Sequence, residues 1–440
     1  MEISRRRLLG LAGAGAAATI AGVLSGCSST LPEADVGAAG FGSGAKGTVS
    51  VWSRSATQTG MQTIIDRFHK AQSAIRVELT PVLDAEYVTK LATAIRGGEV
   101  PDLVDMDDIN SSLFIYRDTF TELTHLVNAL PYRSRLSPGH LNLASIGGRI
   151  YGVPFLADNS LLWLNTELFE KAGVDPEAST QSLETLHEAL PKLTSAKDGI
   201  YAWSFPGNGQ GALAFTFLPH IWAQKADVFK GKIGAQTGYV ADNQPLKETL
   251  QFFHTMWSNK WAPPSCYSDA ATHWGSDFLA GKIAIFPANY ATVVTPAPKS
   301  MLPKLKPVVI PGPGGGRAFF DGGDNLCMPR GANNPSAAWE FMKFTLETAQ
   351  QQSMPAGGYT PIRNDADTTS FRTQYPLDTT PLENLDLGYA PQTLAYNVAI
   401  NQADGPFLAM FRKAVFDGDV DGALDQAQTS LDRLLKETQA

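Results

Sequence analysis

Residues 48–106 read TVSVWSRSATQTGMQTIIDRFHKAQSAIRVELTPVLDAEYVTKLATAIRGGEVPDLVDM. Thr48-Val49-Ser50-Val51-Trp52 is a short β-prone run. Gln58 to Gln72 then places Met61, Ile64, Ile65 and Phe68 at helical spacing. Ile75-Arg76-Val77-Glu78-Leu79 alternates like a strand, and Tyr87 to Ile95 is a second amphipathic helix stopped at Gly97-Gly98. Pro101 to Met106 supplies a third strand. Strand, helix, strand, helix, strand predicts a parallel sheet with right-handed crossovers. Loops beyond the carboxyl ends of such strands form binding crevices.

Upstream, Ser4-Arg5-Arg6-Arg7-Leu8-Leu9 begins a basic then uncharged run that ends at Leu24-Ser25-Gly26-Cys27. That order is an export signal, outside the fold proper. Its last four residues resemble a lipobox, whose cysteine becomes a lipidated N-terminus, and its arginines with Leu8-Leu9 resemble a twin-arginine signal. Residues 1–27 are therefore expected to be signal up to and including the lipobox Cys27. Residues 28–47, small and Gly-rich, read as a flexible tether. The expected location is the extracytoplasmic face of the cell membrane.

Downstream, Tyr151 to Phe155 leads into Leu161-Leu162-Trp163-Leu164-Asn165. Leu246 to Trp257 reads as a helix, Lys282 to Phe286 as a strand, and Pro311 to Gly316 as a crossing, hinge or surface loop. Ala337 to Ala349 reads as a helix, and Pro406 to Glu437 as one or two more separated at Gly418. The net charge of −8 gives no support to nucleic-acid binding. Besides Cys27 there are only Cys266 and Cys327, a possible pair on which a chain of this size does not depend. Histidine and cysteine spacings match no metal site, and no GxSxG elbow, phosphate-binding loop or dinucleotide fingerprint occurs. Capture without catalysis, with no cofactor, is the expectation.

The order of segments resembles the extracellular solute-binding proteins of ATP-driven sugar importers, the broad family that includes maltose-binding protein. The resemblance is carried by Gly97-Gly98-Glu99-Val100-Pro101-Asp102-Leu103-Val104, Tyr151-Gly152-Val153-Pro154, Trp163 to Gly173, Phe278 to Ile285, and Pro335 to Phe344. It implies an α/β fold of two discontinuous lobes with a ligand cleft between them. The division expected is residues 48–154 plus 319–355 for the first lobe, and 155–318 plus 356–436 for the second. It implies further a monomeric, lipid-anchored receptor that delivers a di- or oligosaccharide, or a related polyol, to an ABC permease served by a separate ATPase.

A sugar needs aromatic faces for its C–H surfaces and polar groups for its hydroxyls. A buried hydroxyl left unpaired costs roughly 1–3 kcal/mol. Concave sites with a few converging polar groups are the usual solution. The candidates are Arg54 after the first strand, Asp107 and Asp108 after the third, and Asp158 with Asn159 before Leu161. Trp203, Phe205, Asn208 and Gln210 combine aromatics with amides, and Trp274 is a further platform. Asn289 follows a strand, Gly322 and Gly323 suit close backbone approach, and Tyr359 with Arg363 resemble the family's late cleft segment. Trp52 and Trp163 fit core packing as well as a platform. Arg54 and Arg363 keep open a phosphorylated polyol, such as a glycerophosphate-type ligand, and the many carboxylates keep open an exported carbohydrate-active enzyme.

Overall fold

The computed structural model describes residues 31–272 and 275–440. The segment read as an export signal, the expected lipidation site Cys27 and the candidate Trp274 lie outside the described residues. Among those described, ten strands join in one sheet. They are β1 (Gly47–Arg54), β2 (Ile75–Val82), β3 (Leu103–Asp107), β4 (Gly152–Asn165), β5 (Tyr201–Trp203), β6 (Ile283–Asn289), β7 (Leu305–Val308), β8 (Ile310–Gly312), β9 (Gly315–Cys327) and β10 (Gly388–Tyr389). The main path runs β2-β1-β3-β9-β4-β6-β5. As the spacing predicts, β1 pairs in parallel with both β2 and β3.

Two long antiparallel strands, β4 and β9, carry the sheet from one lobe into the other. Each is buried over nearly its whole length, so each reads as a continuous apolar and small-residue run rather than an alternating one. The Pro311–Gly316 stretch turns the chain from β8 into β9, and the crossing is made by β9 itself.

The helices used below are α1 (Gln58–Ala71), α2 (Asp84–Gly97), α3 (Asp108–Tyr116), α4 (Pro138–Leu143), α5 (Gln244–Ser258), α6 (Pro335–Thr345), α7 (Pro406–Phe416) and α8 (Val420–Thr438). In the first lobe the strand period of two divides side chains between two cores. Val49, Val51 and Leu103 meet α1 and α6 through Ile64, Phe68, Ala337 and Phe341. Val104 and Met106 meet α2 and α3 through Tyr87, Leu91 and Phe114. The second lobe is divided likewise by β4. Leu162 and Leu164 join a large core with Trp203, Phe253, Phe411 and Leu435, while Trp163 faces a smaller one with Phe278 and Phe286. Cys266 and Cys327 are both free and buried, in different cores.

Two segments differ from expectation. The stretch read as a tether is docked on the first lobe from Leu31 onward. Pro32 accepts a backbone hydrogen bond from Gly331, Glu33 pairs with Arg330, and Val36 and Phe41 pack on the core. The composition was Gly-rich, but the four apolar side chains Leu31, Ala34, Val36 and Phe41 suffice to hold it. Tyr359 and Ile362, allotted to the second lobe, pack on the first-lobe core instead, and Ile362 accepts from the Ser137 amide.

Candidate ligand-binding cleft

Register sets the centre of the cleft. Where β3, β9 and β4 meet, Asp107 stands opposite Asp324, and Gly322 stands opposite Asp158. Arg54, at the end of β1, donates from Nε to Asp324 at 2.8 Å and pairs again through its terminal nitrogen. Its other terminal nitrogen lies 3.3 Å from Asp84 and 3.4 Å from Asp107. One guanidinium thus serves three carboxylates, of which Asp324 is completely buried. Paired, hydrogen-bonded burial of this kind is the condition under which such a charge persists. Behind it, Asp105 accepts from Ser53 at 2.7 Å and from Thr57. Burial, reinforced by Asp324, pushes the Asp105 carboxyl well up.

Asp158 is the one partly exposed residue on the fourteen-residue β4. Burial raises its carboxyl to about 6, against the opposing effects of the Asn289 amide and Arg54. Burial also raises Asp107 to about 6, against Arg54 and with Asp324 and Asp158 adding repulsion.

In front of these groups lies an interlobe cavity of about 640 Å³, within the range typical of small-molecule sites. The first lobe contributes Arg54, Asp84, Asp107 and Asn110, the last from α3. The second contributes Asn397 and Asn401 at the two ends of a single π-turn, with Glu437 from the end of α8. Among the described residues none of the three asparagine side chains has a hydrogen-bond partner, which leaves their amides available. A π-turn is a costly local geometry, commonly found at functional positions. Asn401 also lies close to Gly211: a Cβ there would stand 2.7 Å from its Oδ1. Asn289 bonds Asp158 and caps the short helix Tyr290–Val293, and Tyr359 donates to the Ala56 carbonyl at 2.6 Å.

Of the residues expected from the sequence, Arg54 and Asp107 line the cavity, and Asp158, Asn289 and Tyr359 are not among its lining residues. Asn208 and Gln210 are half-buried on the adjoining loop, where Asn208 donates its amide to Asp269. The others are structural. Asp108 is wholly buried 3.5 Å from His140, whose ring also meets Asp321 and Ser137. Asn159 donates to Asp321 in the same network. Every member is inaccessible to solvent, so the network secures the crossing strands. Gly322 leaves room for the Phe320 ring, and Gly323 serves strand contact: with φ 148°, a Cβ there would lie 2.2 Å from the Leu156 carbonyl.

Trp203 and Phe205 are core side chains, edge-on to Phe253. Trp222 is likewise buried, against Phe320 and Tyr389. Arg363 bonds Asp365 and the Leu346 carbonyl and covers the Tyr132 ring at 4.1 Å. The sequence reading missed Asp84, Asn397, Asn401 and Glu437. The available signal was Asn397 and Asn401 flanking the apolar run Val398-Ala399-Ile400.

Residues 63–380 match the bacterial extracellular solute-binding protein family. In fold the chain is similar to the sugar-binding protein MalE of the phytopathogen Xanthomonas citri, with a TM-score of 0.79 at 19% identity, covering 89% of this chain and 98% of that one. A binding protein of Brucella abortus is 22% identical over 322 residues, 69% of this chain and 72% of the relative. The arabinooligosaccharide-binding protein of Bacillus subtilis is 23% identical over 292 residues, 62% of each. These similarities are to binding proteins rather than enzymes, and the two-lobed fold with its interlobe cavity agrees with them. The chain belongs to the bacterial extracellular solute-binding proteins.

Proposed function

We propose that the protein captures a sugar, as a di- or oligosaccharide or a related polyol, and delivers it to an ABC importer. The observation that carries this reading is the interlobe cavity, lined from one side by Asp107 and Asn110 and from the other by Asn397 and Asn401. Carboxylates and carboxamides on both walls can satisfy several hydroxyls at once, and a ligand touching both lobes favours the state in which they are close. The sugar and arabinooligosaccharide receptors among its relatives support the same ligand class. The proposed partners are a membrane permease and a separate ATPase. Export of the chain as a monomer and lipidation at Cys27 complete the proposal, placing it on the extracytoplasmic face.

The phosphorylated-polyol reading finds less support. Arg54 is committed to Asp324, Asp84 and Asp107, and Arg363 to Asp365 and Leu346 away from the cavity. Calorimetric titration of purified, ligand-stripped protein with neutral and phosphorylated sugars and polyols tests this. A saturable neutral-saccharide response is expected. A phosphorylated preference, or silence across the panel, contradicts it.

A further inference from the structure

The stretch from Leu31 to β1 is fastened to the first lobe along its length. Leu31 lies against Gly331, where an added Cβ would stand 3.2 Å from its side chain, and against Gly98 just past α2, at 3.7 Å. The Gly331 amide donates to the Pro32 carbonyl at 2.9 Å. Glu33 is held at both oxygens: one accepts from the Glu122 amide at 2.7 Å, and the other pairs with Arg330 at 2.8 Å. Arg330 pairs in turn with Asp118 at 3.0 Å. Ala34, Val36, Phe41 and Ala45 then pack on the core, and a Cβ at Gly42 would come 3.2 Å from Cδ1 of Trp339 on α6.

Only Ser28, Ser29 and Thr30 separate Leu31 from Cys27. Four peptide units reach about 14 Å at full extension, against about 70 Å for a tether free as far as Gly47. The corner at Leu31 also lies at one end of the molecule. Gly98 ends the helix α2 whose first residues line the cavity, about 20 Å away along its axis. Gly331 follows the first-lobe end of β9, whose other end lies about 40 Å off in the second lobe. Glu188 shares a surface depression with Pro313, just before that far end.

We infer that this docked strap holds the first lobe at the lipid bilayer, with the exposed corner at Gly98, Glu99 and Gly331 as the membrane-facing surface. This rests on the proposed lipidation at Cys27 and adds which lobe, and which corner of it, lies at the membrane. A lipid on Cys27 fixes that residue at the bilayer surface, so the Leu31 corner stays within about 14 Å of it. The bilayer excludes the rest of the molecule, so a body pinned at this end extends outward, with Glu188 at its distal end.

The test is energy transfer to headgroup-labelled lipid from a fluorophore at Glu99→Cys or Glu188→Cys. The lipidated protein is reconstituted in phosphatidylglycerol–phosphatidylethanolamine vesicles, and the burial of Cys266 and Cys327 leaves one thiol to label. Transfer from position 99 is expected to be at least twofold more efficient than from position 188. Inserting about 15 Gly and Ser residues between Thr30 and Leu31 leaves the strap docked and adds a mean reach of about 20 Å. Transfer from position 99 is then expected to fall at least twofold. Equal transfer from the two positions, or a position-99 signal unchanged by the insertion, overturns the inference. Vesicle retention of Cys27→Ser reads the anchor separately. If retention needs Cys27 while the two labels transfer equally, only the inference falls. If Cys27→Ser is retained as well as wild type, the lipidation reading falls and the inference with it.

Discussion

Asp107–Asn110 and Trp203–Gln210 both follow strands of one sheet, and both have compositions suited to a sugar. Only the first opens directly into the cavity. β3 lies inside the sheet and its carboxyl end pairs with the crossing strand β9, so the residues after it emerge where the lobes meet. β5 has three residues at the sheet's far end, under α5 and α7, so Trp203 and Phe205 point into a core built by Phe253 and Phe411. Position in the sheet decides function here more strongly than aromatic and amide content. The large apolar surface of an aromatic ring stabilises a core just as well as it covers a sugar.

The comparison breaks if the Trp203 region behaves as a binding surface. Phe205→Ala is expected to lower unfolding stability by about 3–5 kcal/mol, the usual cost of emptying an aromatic core site. Affinity per folded molecule is expected to stay the same. Denaturant unfolding and titration of the folded fraction check the two halves separately.

Asp158→Asn tests the opposite case, a partly exposed carboxyl on a crossing strand whose burial costs stability. A carboxyl raised to about 6 in the folded protein keeps its proton where the unfolded one has lost it. Its favourable contribution is therefore present at low pH and is lost as pH rises through 6. The variant is expected to gain up to about 3 kcal/mol at pH 8 and only about 0.5 kcal/mol at pH 4. Unfolding curves at the two pH values decide it, and an equal effect at both would remove the assigned cause.

Much of the fold was legible because it is periodic. The first three strands, their intervening helices and the parallel order were contained in residues 48–106. Gly418, at φ 77°, separates the last two helices as read. The lobes' crossing strands were harder, since β4 and β9 are buried over nearly their whole length and lose the alternation that marks a strand. Arg54 and Asp107 were legible as strand-end residues. Asn397 and Asn401 were not, because their convergence depends on a π-turn far from the first lobe in sequence. Arg363 misled for a physical reason: its guanidinium is satisfied by Asp365, a main-chain carbonyl and the Tyr132 ring, all within the first lobe.

Smaller effects sharpen the picture of the cavity walls. Asp107→Ala is expected to weaken saccharide binding by about 1.5–3 kcal/mol, the range for a hydrogen bond to a charged group. Asn401→Ala is expected to cost about 1 kcal/mol, with little change in melting temperature since its amide supports nothing else. Titration beside thermal melts distinguishes lost contact from lost structure.

The most direct measurement is calorimetric titration of the best-binding saccharide into wild type and the Asp107→Asn/Asn401→Ala double variant, which removes one contact from each wall. Capture between the lobes predicts one saturable site in the wild type and at least 30-fold weaker binding in a variant with native-like melting, about 2 kcal/mol. Undiminished binding in the folded double variant would place the ligand elsewhere and contradict capture in this cavity.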